Sequence, residues 1–109
     1  MGASCPGAKI PPVISTHVLD TGSGEPAQGV RVELYRGEEL LAAQETNEGG
    51  RIAELAPGPL EPGTYRLVFH PPSAFFRRVE LEVAIEEADR HYHVPLLFSP
   101  YSCASYRGS

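Results

Sequence analysis

Residues 29–35 read GVRVELY, a stretch in which apolar and polar side chains alternate. In an extended chain, one face carries Val30, Val32 and Leu34, and the opposite face carries Arg31, Glu33 and Tyr35. A period of two is typical of a β-strand with one face in a core. Gly37-Glu38 then makes a turn into a second run, residues 39–46. This stretch therefore predicts a β-hairpin, and the same pattern can be followed outward through the chain.

Short β-like runs recur along the sequence, separated by turns that draw on eleven Gly and eleven Pro residues. Besides the hairpin, the runs cover residues 13–19, 64–70, 79–85, 90–98 and 101–106. About seven or eight short strands, with turns roughly every 8–12 residues, are typical of a β-sandwich. We expect an all-β domain over residues 11–109, preceded by a flexible segment, residues 1–10.

Length and charge narrow the class of protein. A chain of 109 residues suits one domain with its own core, and a net charge of -5 argues against nucleic acid or an anionic membrane as partner. No apolar run approaches the ~20 residues of a membrane helix, and the first residues, MGASCPGAKI, lack the apolar part of a signal peptide. We expect no membrane association.

Cysteine content and the last residues bear on location. Cys5 and Cys103 do not make a disulfide framework, which favours a reducing compartment. The C-terminal residues are not the S-K-L address of peroxisomes. We expect a cytoplasmic protein, or a peroxisomal one if the source is eukaryotic, although that signal is not seen.

The histidines are the main candidates for chemistry. On an extended strand His91 and His93 share one face with Pro95, and two imidazoles at this spacing could bind a metal ion. However, no Cys, His or Asp cluster at the usual ligand spacing completes a metal site. A solvated strand face is the alternative interpretation.

Two more polar residues lie in strand and turn positions. His17 faces the same way as Ser15 and Leu19, where a lone histidine is commonly a surface or hydrogen-bonded core residue. Arg51 follows Gly49-Gly50, so it is either a solvated turn residue or a residue that a ligand can approach closely. The spacing of these residues therefore predicts a β-sandwich with several histidines and does not by itself indicate a function.

Longer motifs carry a resemblance to a known family. Residues 14–30, ISTHVLDTGSGEPAQGV, and residues 91–109, HYHVPLLFSPYSCASYRGS, closely resemble the 5-hydroxyisourate hydrolases, the transthyretin-like enzymes of urate breakdown. NEGGRI at 47–52 and PGTYRLVF at 62–69 match the family between these ends, so the resemblance runs from Pro12 to Ser109. The terminal YRGS distinguishes the enzymes from transthyretin, the hormone carrier of the same fold.

The resemblance implies a transthyretin-like sandwich of two four-stranded sheets. It also implies a homotetramer, a dimer of dimers that stack around a central channel with active sites in its two halves. The reaction implied is hydrolytic opening of the six-membered ring of 5-hydroxyisourate, which gives 2-oxo-4-hydroxy-4-carboxy-5-ureidoimidazoline. No metal or organic cofactor is implied.

Family positions can be transferred residue by residue. The catalytic residues fall on His17, Arg51, His93 and Tyr106, and the substrate-binding set is His17, Arg51, Tyr106 and Ser109. The resemblance places the second histidine at His93 rather than His91. An imidazole can act as base near neutral pH, and a guanidinium can hold an anionic substrate, so these residue types suit the hydrolysis. Tyr106 is expected to form a pocket wall and to donate a hydrogen bond.

The chain departs from the family pattern at three places. Cys103, Ala104 and Ser105 stand where the family has an aromatic residue, then Ser or Thr, then Thr, which puts the packing of the tail in question. Arg77 stands where a Pro usually follows the Phe pair. The family commonly has a short helix between the strands that here are TYRLVFH and VELEVAI. Only residues 71–78 remain there, so we expect that helix to be a turn or absent.

Two alternatives to an enzyme remain. A transthyretin-like carrier would share the channel without chemistry, and it lacks the combination of His17, Arg51, His93 and YRGS. A structural β-sandwich module would give these polar residues no common location.

Overall fold

The computed structural model describes residues 13–56, 60–86 and 91–108, and the segment predicted for residues 1–10 lies outside them. The described residues form ten β-strands: β1 Val13–Asp20, β2 Glu25–Pro26, β3 Arg31–Arg36, β4 Glu39–Glu45, β5 Arg51–Ile52, β6 Gly63–His70, β7 Val79–Ile85, β8 His91–His93, β9 Leu96–Ser99 and β10 Ser102–Ser105. No helix occurs in these ranges. The all-β prediction is confirmed.

The hairpin predicted from residues 29–46 is confirmed as β3 and β4. Gly37 takes a positive φ of 62° in its turn, a conformation that glycine adopts without steric cost. β3 also pairs with β6, and β6 with β7, so the first sheet has the antiparallel order β4-β3-β6-β7. Val32 and Leu34 point into the core and are fully buried, as the alternation indicates.

The second sheet has six short strands that occupy four positions. Along one side of β1 lie β8 and then β9, both parallel to it, and along the other lie β5 and β2, both antiparallel. β10 pairs with β9 at the edge. The second sheet therefore also has four strand positions, in agreement with the sandwich of two four-stranded sheets.

One predicted run is interrupted. Residues 90–98 were expected to form one strand, but β8 ends at His93 and β9 begins at Leu96. Pro95 has no amide hydrogen and so cannot continue the ladder. The amide of Val94 still donates to the Ser15 carbonyl at 2.9 Å, and the Thr16 hydroxyl donates to the Val94 carbonyl at 2.6 Å. The segment between β8 and β9 therefore remains hydrogen-bonded to β1.

The core fills the space between the two sheets. Ile14 and Val18 of β1 pack with side chains of β3, β6 and β9, and all are nearly inaccessible to water. Fully burying such a side chain is worth about 1.5–3 kcal/mol. Because Ile14, Thr16 and Val18 point inward, Ser15 and His17 must present their side chains on the outer face. This fixes where Ser15 and His17 lie.

The connection from β6 to β7 contains bends and no helix over residues 71–78, as expected from its length. It is held by Ser73, whose hydroxyl accepts hydrogen bonds from the amides of Phe75 and Phe76 at 3.2 and 3.0 Å.

In residues 13–56, 60–86 and 91–108, no helix has the length and apolar character needed to span a bilayer.

Candidate active site

The candidate site lies on the outer face of the second sheet. On β1, Ser15 and His17 point away from the core, and strand register gives each a partner on the same face. His17 is opposite Arg51 of β5, and Ser15 is opposite His93 of β8. The structure thus brings together three residues that the sequence predicted as catalytic, His17, Arg51 and His93.

The turn before β5 sets the position of Arg51. The Asn47 side-chain oxygen accepts hydrogen bonds from the amides of Gly49 and Arg51 at 2.9 and 3.0 Å. The Asn47 backbone amide donates to the Arg51 carbonyl at 3.0 Å, and the Gly50 amide donates to the Asn47 carbonyl at 2.9 Å. Arg51 is therefore held at the start of β5 by the preceding turn, while its side chain is exposed to solvent.

Gly50 allows this turn to sit directly beside β1. Its φ is +74°, and its carbonyl accepts a hydrogen bond from the Val18 amide at 2.7 Å. A Cβ atom at Gly50 would lie 2.5 Å from the Val18 carbonyl oxygen and 3.0 Å from Pro26 Cβ. The glycine thus allows the chain's own backbone to approach closely. Close approach of a ligand to the neighbouring Arg51 stays a prediction.

Gly50→Ala is expected to lower the free energy of unfolding by about 2 kcal/mol or more, since a non-glycine residue at positive φ alone costs about 1–3 kcal/mol and the Val18 carbonyl must also move. Gly24→Ala is the control, because Gly24 has a φ of +79° but open space around it. Urea unfolding monitored by circular dichroism measures both. Equal losses in the two variants would show that the contact with Val18 is unimportant.

A serine hydroxyl connects the two histidines of β8. Ser15 Oγ lies 2.7 Å from His91 Nε2 and 2.7 Å from His93 Nδ1. The two rings are 6.4 Å apart between centroids, on either side of this hydroxyl. His91 and His93 therefore share a face, as the alternation predicts, and neither the Ser15 bridge nor a contribution of His91 was found from the sequence. The only sequence signal for the bridge was that Ser15 and His17 face the same way.

The C-terminal tail is fastened to His93 within the same chain. The Gly108 amide donates to the His93 carbonyl at 2.7 Å. A Cβ atom at residue 108 would lie 2.6 Å from His93 Cδ2, so the tail backbone packs directly against the imidazole. Upstream, the Ser105 hydroxyl donates to the Pro95 carbonyl at 2.7 Å. Cys103, one of the departures from the family, is partly buried against the core, and burial raises the pKa of its thiol.

The three histidines on this face, His17, His91 and His93, form the imidazole cluster. The electrostatics of His17 and His93 favour neutral imidazoles. Burial lowers the pKa of His17 below its usual value, the Arg51 charge lowers it further, and the Gly49 backbone opposes the shift. Burial is also the largest cause of the lowered pKa of His93, followed by His91, His17 and Arg51. A neutral imidazole can accept a proton, so both rings are suited to act as bases near neutral pH.

We expect NMR titration of the ring Cε1–H signals to give His17 and His93 pKa values below the ordinary 6.5. Arg51→Gln removes a cation and should raise both pKa values, while burial still holds them below the ordinary value.

The lowered pKa values of His17 and His93 also make stability depend on pH. In the unmodified protein, these histidines bind protons more readily in the unfolded chain than in the folded one. The histidine contribution to stability is therefore complete above pH 6.5 and is lost as pH falls through the folded pKa values. An unchanged His17 pKa in Arg51→Gln would contradict this account.

Tyr106 does not lie in the imidazole cluster of this chain. It lines a separate cleft of about 410 Å³ between β7 and the tail, together with Val83, Tyr92 and Arg107. The side chain is 60% exposed, and in the described part of the chain its hydroxyl makes no hydrogen bond. Its catalytic and binding roles stay predictions, and Ser109, the other predicted substrate-binding residue, lies outside the described residues.

Among the residues that the structure describes, no group of three or more His, Cys, Asp or Glu side chains is arranged to hold a metal ion. The chemistry that the cluster itself offers is general base catalysis by imidazole beside a guanidinium that can hold an anion.

The described residues form a small two-sheet β-sandwich, and its second sheet carries His17, His93 and Arg51 on the outer face. The chain belongs to the HIUase/Transthyretin family, whose model matches residues 14–108. It is 43% identical over 118 residues to 5-hydroxyisourate hydrolase 2 of Rhizobium meliloti, covering 88% of this chain and 95% of that protein. It is 44% identical over 114 residues to 5-hydroxyisourate hydrolase of Pseudomonas aeruginosa, and the match covers 88% of this chain and 90% of that protein. Among solved structures it resembles Klebsiella pneumoniae 5-hydroxyisourate hydrolase with a TM-score of 0.81, at 39% identity, covering 89% and 98% of the two chains.

Proposed function

We propose that this chain hydrolyses 5-hydroxyisourate to 2-oxo-4-hydroxy-4-carboxy-5-ureidoimidazoline. The observation that carries the proposal is the convergence of His17, Arg51 and His93, from three different strands, on one outer sheet face. Relatives that bear the name 5-hydroxyisourate hydrolase and align with nearly the whole chain support the substrate.

The residues divide the work by their chemistry. His17 and His93 orient and deprotonate the attacking water, because lowered pKa values keep both rings neutral near pH 7. Arg51 lies beside His17, and its guanidinium can hold an anionic substrate and the charge that develops on the carbonyl oxygen. Tyr106 and Ser109 complete the proposed substrate-binding set.

The direct test adds the purified full-length chain to freshly generated 5-hydroxyisourate and follows the decay of its ultraviolet absorbance. We expect decay much faster than the spontaneous reaction and proportional to protein concentration. The product should be identified by NMR or chirality-sensitive spectroscopy, since spontaneous hydrolysis consumes the same substrate. Decay at the spontaneous rate would overturn the proposed function.

We further propose that the active form is a homotetramer, a dimer of dimers. In one chain the imidazole cluster lies on an outer sheet face with an exposed Arg51, whereas small-molecule sites are normally concave. A second copy over this face would supply the missing wall, and closed two-fold symmetry is the commonest way to arrange it. Light scattering at micromolar concentration should give four times the chain mass. A monomer mass for a fully active preparation would contradict the proposal.

A further inference from the structure

The Ser15 hydroxyl couples the protonation of two histidines. It lies 2.7 Å from His91 Nε2 and 2.7 Å from His93 Nδ1. A hydroxyl has one proton, so it donates to one ring nitrogen while it accepts from the other. The tautomer of His93 therefore determines which nitrogen of His91 carries a proton.

Solvent exposure increases from Ser15, which is buried, through His93 to His91. Ser15 is only 7% exposed, His93 is half-buried beneath the tail at Gly108, and His91 is exposed to water. Within residues 13–56, 60–86 and 91–108, His93 Nε2 has no hydrogen-bond partner. The arrangement leaves one nitrogen of His93 free for reacting groups and connects the other to solvent.

We propose that Ser15 and His91 form a proton relay behind His93. This inference rests on the proposed function, because it assigns a path to the proton that hydrolysis releases. In the resting state His93 carries its proton on Nδ1 and donates to Ser15, and Ser15 donates to His91 Nε2. His93 Nε2 then holds the lone pair that accepts a proton from water.

The transfer balances in three steps. As the water oxygen bonds to the ring carbonyl carbon, its proton moves to His93 Nε2. The Nδ1 proton passes to Ser15 Oγ, and the hydroxyl proton passes to His91 Nε2. His91 is exposed and gives its Nδ1 proton to bulk water. When the C–N bond breaks, its electron pair goes to the ring nitrogen, which takes the second proton of the attacking water, and a carboxylate remains, so one proton per turnover leaves the site. Proton exchange with solvent at His93 Nε2 and His91 Nδ1 then restores the resting tautomers.

The surroundings of His93 favour this direction. The titratable and charged groups that face it are His17 on β1, Arg51 on β5 and His91 on its own strand, and the tail contributes the uncharged Gly108. Each of the three groups is cationic or can become so, which disfavours a lasting imidazolium at His93. A proton accepted there is therefore readily passed on.

Tautomers can be read without any substrate. Long-range ¹H–¹⁵N correlation spectra of the ¹⁵N-labelled full chain at pH 8 distinguish protonated from unprotonated ring nitrogens. We expect His93 to be protonated at Nδ1 and His91 to be unprotonated at Nε2. In Ser15→Ala, His93 should shift toward the Nε2-protonated form that predominates in free imidazole side chains. An Nε2-protonated His93 in the unmodified protein would overturn the relay.

Kinetics test the path itself. Ser15→Ala and His91→Ala should lower kcat by about 10-fold with little change in KM, a fraction of what a general base contributes. Ser15→Thr retains a hydroxyl and should restore most of kcat, and its methyl group suits a strand. In His91→Ala, kcat should rise with the concentration of imidazole buffer, because buffer replaces the missing acceptor. A role of His91 in structure alone would give no buffer dependence, and that result would overturn the relay.

Failures of the two proposals can be told apart. An unmodified chain that does not hydrolyse 5-hydroxyisourate would overturn the proposed function. An active chain with the wrong His93 tautomer, or with unchanged kcat in both Ser15→Ala and His91→Ala, would overturn the relay alone.

Discussion

His93→Ala and His17→Ala are each expected to lower turnover of 5-hydroxyisourate by roughly 10²-fold or more, because a positioned general base typically contributes about 10²–10⁴-fold. Both rings lie on the outer face of the second sheet and point away from the core, so their removal should leave the fold intact. Initial rates at saturating substrate, with circular dichroism of each variant, measure the effect.

His91 and His70 provide graded comparisons. His91→Ala should cost much less than His93→Ala, because residue 91 does not match the family's second catalytic histidine. His70→Ala should leave turnover unchanged, since His70 lies in the other sheet and bonds Glu33 at 3.2 Å. Equal losses at residues 91 and 93 would mean that the catalytic histidine has been assigned to the wrong position.

Deletion of residues 106–109 is expected to abolish hydrolysis while the sandwich stays folded. Tyr106 is 60% exposed, and Arg107 is also exposed, so little of the core is lost. The deletion does remove the Gly108 amide that bonds the His93 carbonyl at 2.7 Å and the backbone that packs against the His93 ring. His93 would then lose part of the contact that fixes its orientation.

A point substitution tests the same contact without shortening the chain. Gly108→Ala should reproduce much of the loss, because a Cβ atom there would meet His93 Cδ2 at 2.6 Å. Thermal unfolding separates a folded, inactive variant from an unfolded one. Wild-type turnover in the deletion variant would refute the role assigned to the tail.

Local sequence patterns predicted the longer strands and their faces, but not the two-residue strands β2 and β5, which show no alternation of their own. The alternation in GVRVELY depends only on neighbouring residues, and it correctly predicted which side chains of β3 enter the core. Pro95 was visible in the sequence, but the run 90–98 was still expected to be continuous. The Gly50 contact with Val18 was also missed, because a glycine's own pattern does not show which distant backbone it will meet.

Assembly of the site depends on pairings that local patterns do not contain. Ser15 and His93 are 78 positions apart in sequence, and only the register of β1 against β8 brings them together. From spacing alone, the HYH motif could equally line a solvated strand face. Family resemblance identified His17, Arg51 and His93, but it did not identify Ser15 or His91, which match no catalytic position of the family.

The position of β1 inside its sheet has a consequence for how the chain folds. β1 is synthesised well before its parallel neighbours β8 and β9, from which it is separated in sequence by six other strands. Contacts between such distant segments close large loops, and sandwiches rich in them fold in about milliseconds to seconds, much more slowly than helical bundles. During synthesis the β3–β4 hairpin can form while the edge of β1 that will pair with β8 and β9 is still unpaired. Until β8 and β9 emerge, that open edge of β1 can pair with other chains.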